Sequence, residues 1–374
     1  MLSKWLKRGN KTPEKDESLT GHPQVDFAPT PCAPRGVVIK GGELGDLEQK
    51  AISFTFPLGA TGILGTDPGM GKSPNEDAAV VVPSQNFAAA IDGVGGYWGG
   101  DKAAEFLGLG LLTHQSEYAL AIERAKKEMT DLQFEEALRL YGSSACFVGV
   151  KLFPVAGGRF ISIGMCGDCR LILLRKDGTI LQTEDESYIM DLIKANSISS
   201  DEALYSDFRN RITNAVRLAF NTEVTINPHL IKNGELDAQP CPVEVQTGDR
   251  LLLMSDGISD NLTALEIQSL VRDKTLHEAF QILAQTSLKR MQQMEHLIDE
   301  IIRQYLSHDE NIEKPGLMNR LIDKIGGHQG PYTWLYQTIF HKARAKYKSF
   351  SDGYKSKPSR DNRSLIIIDI TEPN

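Results

Sequence analysis

The stretch Ala88–Gly100, AAAIDGVGGYWGG, constrains this chain more than any other. A short apolar run, Ala88–Ile91, stops at Asp92, and glycines follow at 93, 95, 96, 99 and 100. The run has the length of a buried strand, and the glycines let the backbone turn sharply behind it. A carboxylate at the mouth of such a strand, with small residues around it, is well placed to hold a hard cation. Mg²⁺ and Mn²⁺ take oxygen ligands, including backbone carbonyls such as that of Gly93. A lone Asp-Gly pair is more simply read as the cap of the helix that starts near Asp101, so the metal reading needs matching acids elsewhere.

Two further segments supply them. The apolar strand Leu251–Met254 empties into Ser255-Asp256-Gly257-Ile258-Ser259-Asp260. Near the C-terminus, Asp361-Asn362 precedes the run Ser364–Ile370, which reads as a buried strand. Two acids leave strands and one enters a strand. If the last strand runs antiparallel to the others, all three carboxylates gather at one edge of the core, as a metal site requires.

The remaining pattern is a mixture of blocks. Lys102–Leu112, Glu117–Leu138, Thr263–Val271 and Leu276–Leu306 carry apolar residues at helical spacing. Ile52–Phe56, Ala78–Val82, Cys146–Leu152, Arg159–Gly164 and Arg170–Arg175 read as strands, and Lys176-Asp177-Gly178 as a hairpin turn. Hairpin-linked strands interspersed with helices in blocks indicate an α+β fold with antiparallel sheets. Residues 1–52 read as a flexible tail and 53–374 as the folded domain. Met1–Lys11 could form an amphipathic turn or two, and is read as a frayed terminus in preference to a membrane-surface anchor.

Bulk properties exclude several classes. A net charge of −8 over 374 residues argues against general nucleic-acid binding. Five scattered cysteines are no disulfide scaffold and indicate a reducing, cytoplasmic setting. No apolar run approaches the roughly 18 residues that cross a bilayer, so no transmembrane segment is expected.

Two motifs are set aside. Gly69–Ser73, GMGKS, resembles a phosphate-binding loop, but Thr66 replaces the required glycine. The β-branched run Ala78–Val82 follows instead of a helix, removing the helix N-terminus that would bind phosphate. Cys166-Gly167-Asp168-Cys169 has no second pair of ligands at zinc spacing and opens no helix. Asp168, not the thiols, is the candidate there.

Asn75-Glu76-Asp77, Asp92-Gly93-Val94-Gly95-Gly96, Gly142-Ser143-Ser144-Ala145, Gly167-Asp168-Cys169-Arg170, Ser255-Asp256-Gly257 and Asp361-Asn362 together resemble, in order, the motifs of the metal-dependent protein phosphatases (the PPM family, protein phosphatase type 2C). The resemblance covers about residues 53 to 287 and 359 to 371. It implies a four-layer α-β-β-α sandwich of two antiparallel sheets flanked by helices, with a two-metal centre at one end. By position, Asp92 would bridge two Mg²⁺ or Mn²⁺ ions, and Asp256 and Asp361 would hold one of them. Glu76 and the Gly93 carbonyl would serve the other, partly through water, while Asp168 with Asp260 matches the place of a third ion in some members. Asp185–Ala203 looks like the family's mobile flap. The implied reaction is hydrolysis of phosphoserine and phosphothreonine in a phosphorylated protein by a metal-activated water. Two alternatives stand beside it: an inactive relative acting as a phosphoprotein-binding scaffold, and a phosphatase of small phosphoesters.

The departures from that pattern are specific. Val94 stands where many members have a histidine, and Lys72 where the family has a phosphate-binding arginine. Leu288–Ser359 intervenes before Asp361-Asn362, an insertion at about 288–358 that starts helical and ends basic and aromatic. It is expected to be a solvated loop, with docking to a partner or an anionic surface as the functional alternative. The chain is expected to act as a monomer.

Overall fold

A computed structural model describes residues 36–40, 51–70, 75–94, 99–132, 140, 142–198, 211–217, 221–239, 242–306 and 361–373. The chain divides into two units, Met1–Ala33 and Pro34–Asn374, and every described residue belongs to the second. Lys72, the end of the flap segment at 199–203 and the basic part of the insertion lie outside the described residues.

In chain order the strands are β1 (Val37–Lys40), β2 (Ile52–Phe56), β3 (Ala60–Asp67), β4 (Asp77–Val82), β5 (Phe87–Gly93), β6 (Ser144–Val155), β7 (Gly158–Cys166), β8 (Arg170–Leu174) and β9 (Ile180–Gln182). They continue as β10 (Val216–Arg217), β11 (Thr225–Ile226), β12 (Leu230–Lys232), β13 (Glu235–Gln239), β14 (Val243–Val245), β15 (Arg250–Met254) and β16 (Arg363–Ile370). The helices are α1 (Gly100–His114), α2 (Tyr118–Thr130), α3 (Tyr188–Lys194), α4 (Asp256–Ser259), α5 (Ala264–Val271) and α6 (Leu276–Leu306). One sheet runs β1-β4-β5-β6-β7-β11, with β10 on β6 and β14 on β7; the other runs β13-β12-β9-β8-β15-β16-β3-β2. All the strand pairings are antiparallel.

Three apolar clusters define the layers. Alternate residues of both sheets, such as Ala88, Val148, Ile163, Leu171, Leu253 and Ile366, pack face to face in the central layer. The opposite faces of β4, β5 and β6 bury Val80, Ile91 and Phe147 against Leu107 and Leu111 of α1 and Ala121 of α2. On the far side, Ile172, Leu252 and Ile367 meet Ile267 of α5 and Phe280 and Leu283 of α6. This is the expected α-β-β-α sandwich. The strand runs are almost wholly apolar because both faces of each central strand are covered.

Two boundaries differ from the sequence reading. Val37–Lys40 lies inside the stretch read as a tail, yet pairs with β4 from Val37↔Val81 to Lys40↔Ala78. Its short β-branched run is flanked by Gly36 and Gly41-Gly42, and that composition masked it. Helix α2 ends at Thr130, where the Leu132 N–H donates to the Met129 carbonyl in a turn, and residues 133–138 of the expected helix lie outside the described residues. Strand β4 does follow the GMGKS segment, as the rejection of a nucleotide loop required.

At the end of the sandwich where β16 begins, Arg363 is 2% exposed. Its Nε donates to Asp67 Oδ1 at 2.9 Å, and its other nitrogens reach Asp67 Oδ2, the Ala284 carbonyl and Ser287 Oγ. The guanidinium thus ties β3, β16 and α6 together. Removing one member of a buried pair strands the other charge, at a cost of about 3–5 kcal/mol, whereas replacing both with apolar residues is often neutral. Arg363→Met is expected to lose stability on that scale in urea unfolding, and Arg363→Met/Asp67→Leu to recover most of it.

Candidate metal centre

Antiparallel pairing brings the acids to one end of both sheets. In the first sheet Asp77 opens β4 opposite Asp92 near the end of β5, and Asp92 faces Cys146 of β6 on its other side. In the second sheet Met254 closes β15 between Arg170 of β8 and Leu365 of β16. Asp256 follows β15 and Asp361 precedes β16, so both emerge at that end. Asp168 sits in the crossing from β7 to β8, where the chain passes between sheets.

The two Asp-Gly pairs have a common physical reason. A Cβ on Gly93 would overlap the Gly100 and Glu76 carbonyls, and the Gly93 N–H donates to the Glu76 carbonyl at 3.0 Å. A Cβ on Gly257 would overlap the carbonyl of Asn362. In each case glycine stands next to the acid because a second backbone segment, itself carrying an acid, passes against it. Glu76 is delivered to Asp92 in one place and Asp361 to Asp256 in the other.

Side chains that the sequence reading did not single out fix this arrangement. Asn362, 1% exposed, accepts the Glu76 N–H at 2.9 Å and donates to the Pro68 carbonyl at 3.1 Å. Ser255 Oγ donates to Asp77 Oδ2 at 2.6 Å and accepts the Ser364 N–H at 2.8 Å. Asn75 donates to Thr66, and Ser364 shares that same hydroxyl. Three segments carrying Glu76, Asp256 and Asp361 are therefore bonded directly to one another. Adjacency to the motif acids was the available signal for Asp77, Ser255 and Asn362.

A second knot holds Asp168. Arg170 forms a two-pronged ion pair with Asp185, with Nε at 3.0 Å from Oδ1. Glu186 accepts the Gly167 N–H at 2.8 Å and Asn214 Nδ2 at 2.9 Å, and also the Thr225 hydroxyl. The start of the flap segment is thus fastened to the turn that carries Asp168. Nothing in the sequence pattern marked Glu186.

The electrostatics reflect the crowding. Surrounding protein atoms push the Asp92 carboxyl well above the usual carboxylate range, and Asp77, Asp256, Asp361 and Asp168 push it further. Burial first, then Asp185, raise Asp168 to about 7, although the Cys146 thiol bonds to it and opposes the rise; Asp260 adds to it. Burial works against the charge of Arg170, but Asp185, then Asp260 and Asp168, more than restore it. The two cysteines of the CxxC do not converge. Cys166 packs in the helix-side layer, while Cys169 lies with Cys146 between the sheets. Burial raises all three thiols, which makes them poor nucleophiles and poor metal ligands.

Asp92, Asp168, Asp256 and Asp361 are thus brought together, Asp260 stands beside Asp168, and Glu76 adjoins Gly93. Among the described residues no three carboxylate, imidazole or thiol groups close in tightly enough to enclose an ion by themselves. Carboxylate and carbonyl oxygens as donors suit a hard cation such as Mg²⁺ or Mn²⁺ over zinc.

No family model matches the sequence. Among curated proteins the chain is 27% identical over 226 residues to serine/threonine phosphatase stp of Listeria innocua, covering 57% of this chain and 84% of that one. Among solved structures it matches the Mycobacterium tuberculosis serine/threonine phosphatase PstP/Ppp at 18% identity and a TM-score of 0.54, over 84% of this chain and 100% of the other. The catalytic domain of PstP in complex with two manganese ions matches at 18% identity and a TM-score of 0.52, over 84% and 99%. The fold is that of the metal-dependent phosphatases. Its sequence relatives are named as serine/threonine phosphatases, and its fold is the one those solved phosphatase structures share.

The raised carboxyls set a pH dependence for the metal-free protein. The folded state holds protons on Asp168 between its ordinary 3.8 and about 7, and on Asp92 above its ordinary value, where the unfolded chain has released them. Their contribution to stability is therefore full below about pH 4 and is lost as pH rises through the folded values. In chelator, the melting temperature of Asp92→Asn is expected to exceed that of the parent at pH 7.5, with the difference shrinking toward pH 4. Scanning calorimetry across that range checks it; an Asp92→Asn protein no more stable than the parent at pH 7.5 contradicts it.

Proposed function

We propose that the chain removes phosphate from phosphoserine and phosphothreonine residues of proteins, as a Mg²⁺- or Mn²⁺-dependent enzyme. The convergence of Asp77, Asp168, Asp256 and Asp361 on Asp92 from both sheets carries this reading. Bound Mg²⁺ or Mn²⁺ would supply an activated water and would offset charge on the phosphate oxygens. Asp92, which feels the acids of both sheets, would serve both ions. Asp256 and Asp361 would share one ion, and Glu76 with the Gly93 carbonyl would serve the second. Asp168 and Asp260 offer a place for a third. Asn362 and Ser255 bond those segments to one another.

No side-chain nucleophile is needed. The thiols nearest the acids are buried and held protonated, which supports hydrolysis by water over a thiol mechanism. With Val94 at the histidine position, protonation of the leaving group falls to water or to an acid of the cluster. The scaffold alternative has no support from the relatives, which are named as phosphatases. No helix among the described residues is long and apolar enough to cross a membrane. We place the enzyme in the cytoplasm as a monomer acting in phosphoprotein signalling, with the basic part of the insertion as a docking element for a partner or an anionic surface.

Asp256→Asn is expected to lower Mn²⁺-dependent kcat/KM on a phosphoserine peptide at least about 100-fold, since it removes a charged ligand. Chelation should abolish turnover in the parent and added Mn²⁺ should restore it. Turnover unaffected by both treatments would contradict the reading.

Lys72, outside the described residues, is proposed as the phosphate-holding cation. Arginine grips two oxygens with a rigid fork, whereas lysine is a flexible, strongly hydrated point charge. Lys72→Arg is expected to lower KM with little loss of kcat, and Lys72→Ala to raise KM at unchanged Mn²⁺ affinity. Steady-state kinetics on one phosphopeptide decide it: unchanged kcat/KM in Lys72→Ala excludes the role.

A further inference from the structure

A cavity of about 460 Å³ is lined in part by Asp168, Asp256 and Asp260 of the acid cluster. The rest of its lining is mixed, with polar Gln182 and Asn233 beside the aliphatic Ile189 and Ile193 of α3, Ile231 of β12 and Leu265 of α5. That volume is in the range of sites that take small ligands or one or two side chains. Leu265 stands at the rim and is 70% exposed. Helix α5 docks through Ile267 and Val271, so its own packing makes no use of Leu265. Leu265 therefore adds apolar surface to the mouth of the cavity.

The charge pattern selects what can enter. Arg170 is the only cation among the described lining residues, and Asp185 already holds it in a two-pronged pair. An acidic side chain set against the aliphatic residues would lose hydration with no other cationic side chain among the described lining residues to compensate it. An uncharged apolar side chain meets no such penalty and covers the aliphatic residues. An extended peptide advances about 3.3–3.6 Å per residue, so a side chain close to the reacting residue can fill a hollow that adjoins the acids.

We propose that this cavity is a specificity subsite receiving an aliphatic or aromatic side chain within three residues of the phosphorylated serine or threonine. The inference rests on the phosphatase reading above and names the substrate class that this end of the fold selects. The subsite is assembled from α3 and β12 on one side and α5 on the other, so the flap segment contributes to recognition through Ile189 and Ile193.

The test uses the full chain with Mn²⁺ and a set of otherwise identical phosphoserine peptides. Leucine, alanine or aspartate is placed at each of the three positions on either side of the phosphoserine. p-Nitrophenyl phosphate, too small to reach the hollow, serves as the control substrate. At one position the leucine peptide is expected to exceed the alanine peptide about tenfold in kcat/KM, and the aspartate peptide by more. Leu265→Asp, a change at an exposed position, and Ile193→Asn should each erase most of that preference while p-nitrophenyl phosphate turnover stays within about twofold of the parent. Equal kcat/KM across the peptides, or a preference that survives in both variants, overturns the subsite and leaves the phosphatase reading standing. Absence of turnover on every peptide and on the aryl phosphate overturns the phosphatase reading, and the subsite falls with it.

Discussion

Carboxylates crowded at one end of an apolar sandwich repel one another, and much of this structure serves to hold them together. Asp92 feels four other acids while surrounded by protein, which is an unfavourable placement for a negative charge. Stability alone would not select such a cluster. It becomes favourable when cations of high charge sit among the acids, and so the cost to the folded state and the capacity to act on phosphate have a single origin.

The cluster is held by bonding between segments far apart in sequence. Asn362 grips the backbone of Glu76, Ser255 reaches Asp77, and both act where two backbones pass close enough to exclude any side chain but hydrogen at Gly93 and Gly257. Beneath them Arg363 and Asp67 anchor the start of β16 to the end of β3. On the α5 side, Thr263 and Glu266 close a capping box, and Arg290 of α6 pairs with Glu266. Burial tends to raise the Glu266 carboxyl, but its bonds to Arg290 and Thr263 prevail and hold it below its usual value. The loop that carries Asp256 and Asp260 is therefore pinned from both sides.

The sheet edge carrying Asp92, Asp256 and Asp361 was legible because each acid adjoins an apolar run of strand length, whereas the layered α-β-β-α order came from the resemblance to the metal-dependent phosphatases. Periodicity also placed α1, α5 and α6 and the hairpin at Lys176-Asp177-Gly178. What escaped depended on partners distant in the chain. Strand β1 is a four-residue run held by its pairing with β4, a partner about forty residues away. Asn362 and Ser255 look like ordinary turn residues until Glu76 and Asp77 are brought to them. Glu186 has no local pattern at all, since its three donors come from Gly167, Asn214 and Thr225. The CxxC was legible in outcome, though its reason was not: the two thiols enter different layers of the core.

The central claim is that acids from both sheets share their cations through Asp92. Titration of the metal-free full chain with Mn²⁺, followed by electron paramagnetic resonance, tests it most directly. The account predicts a spin-coupled pair of Mn²⁺ ions in the parent, and only uncoupled Mn²⁺ in Asp92→Asn. A parent that binds no Mn²⁺, or an Asp92→Asn protein that retains the coupled pair, would contradict it.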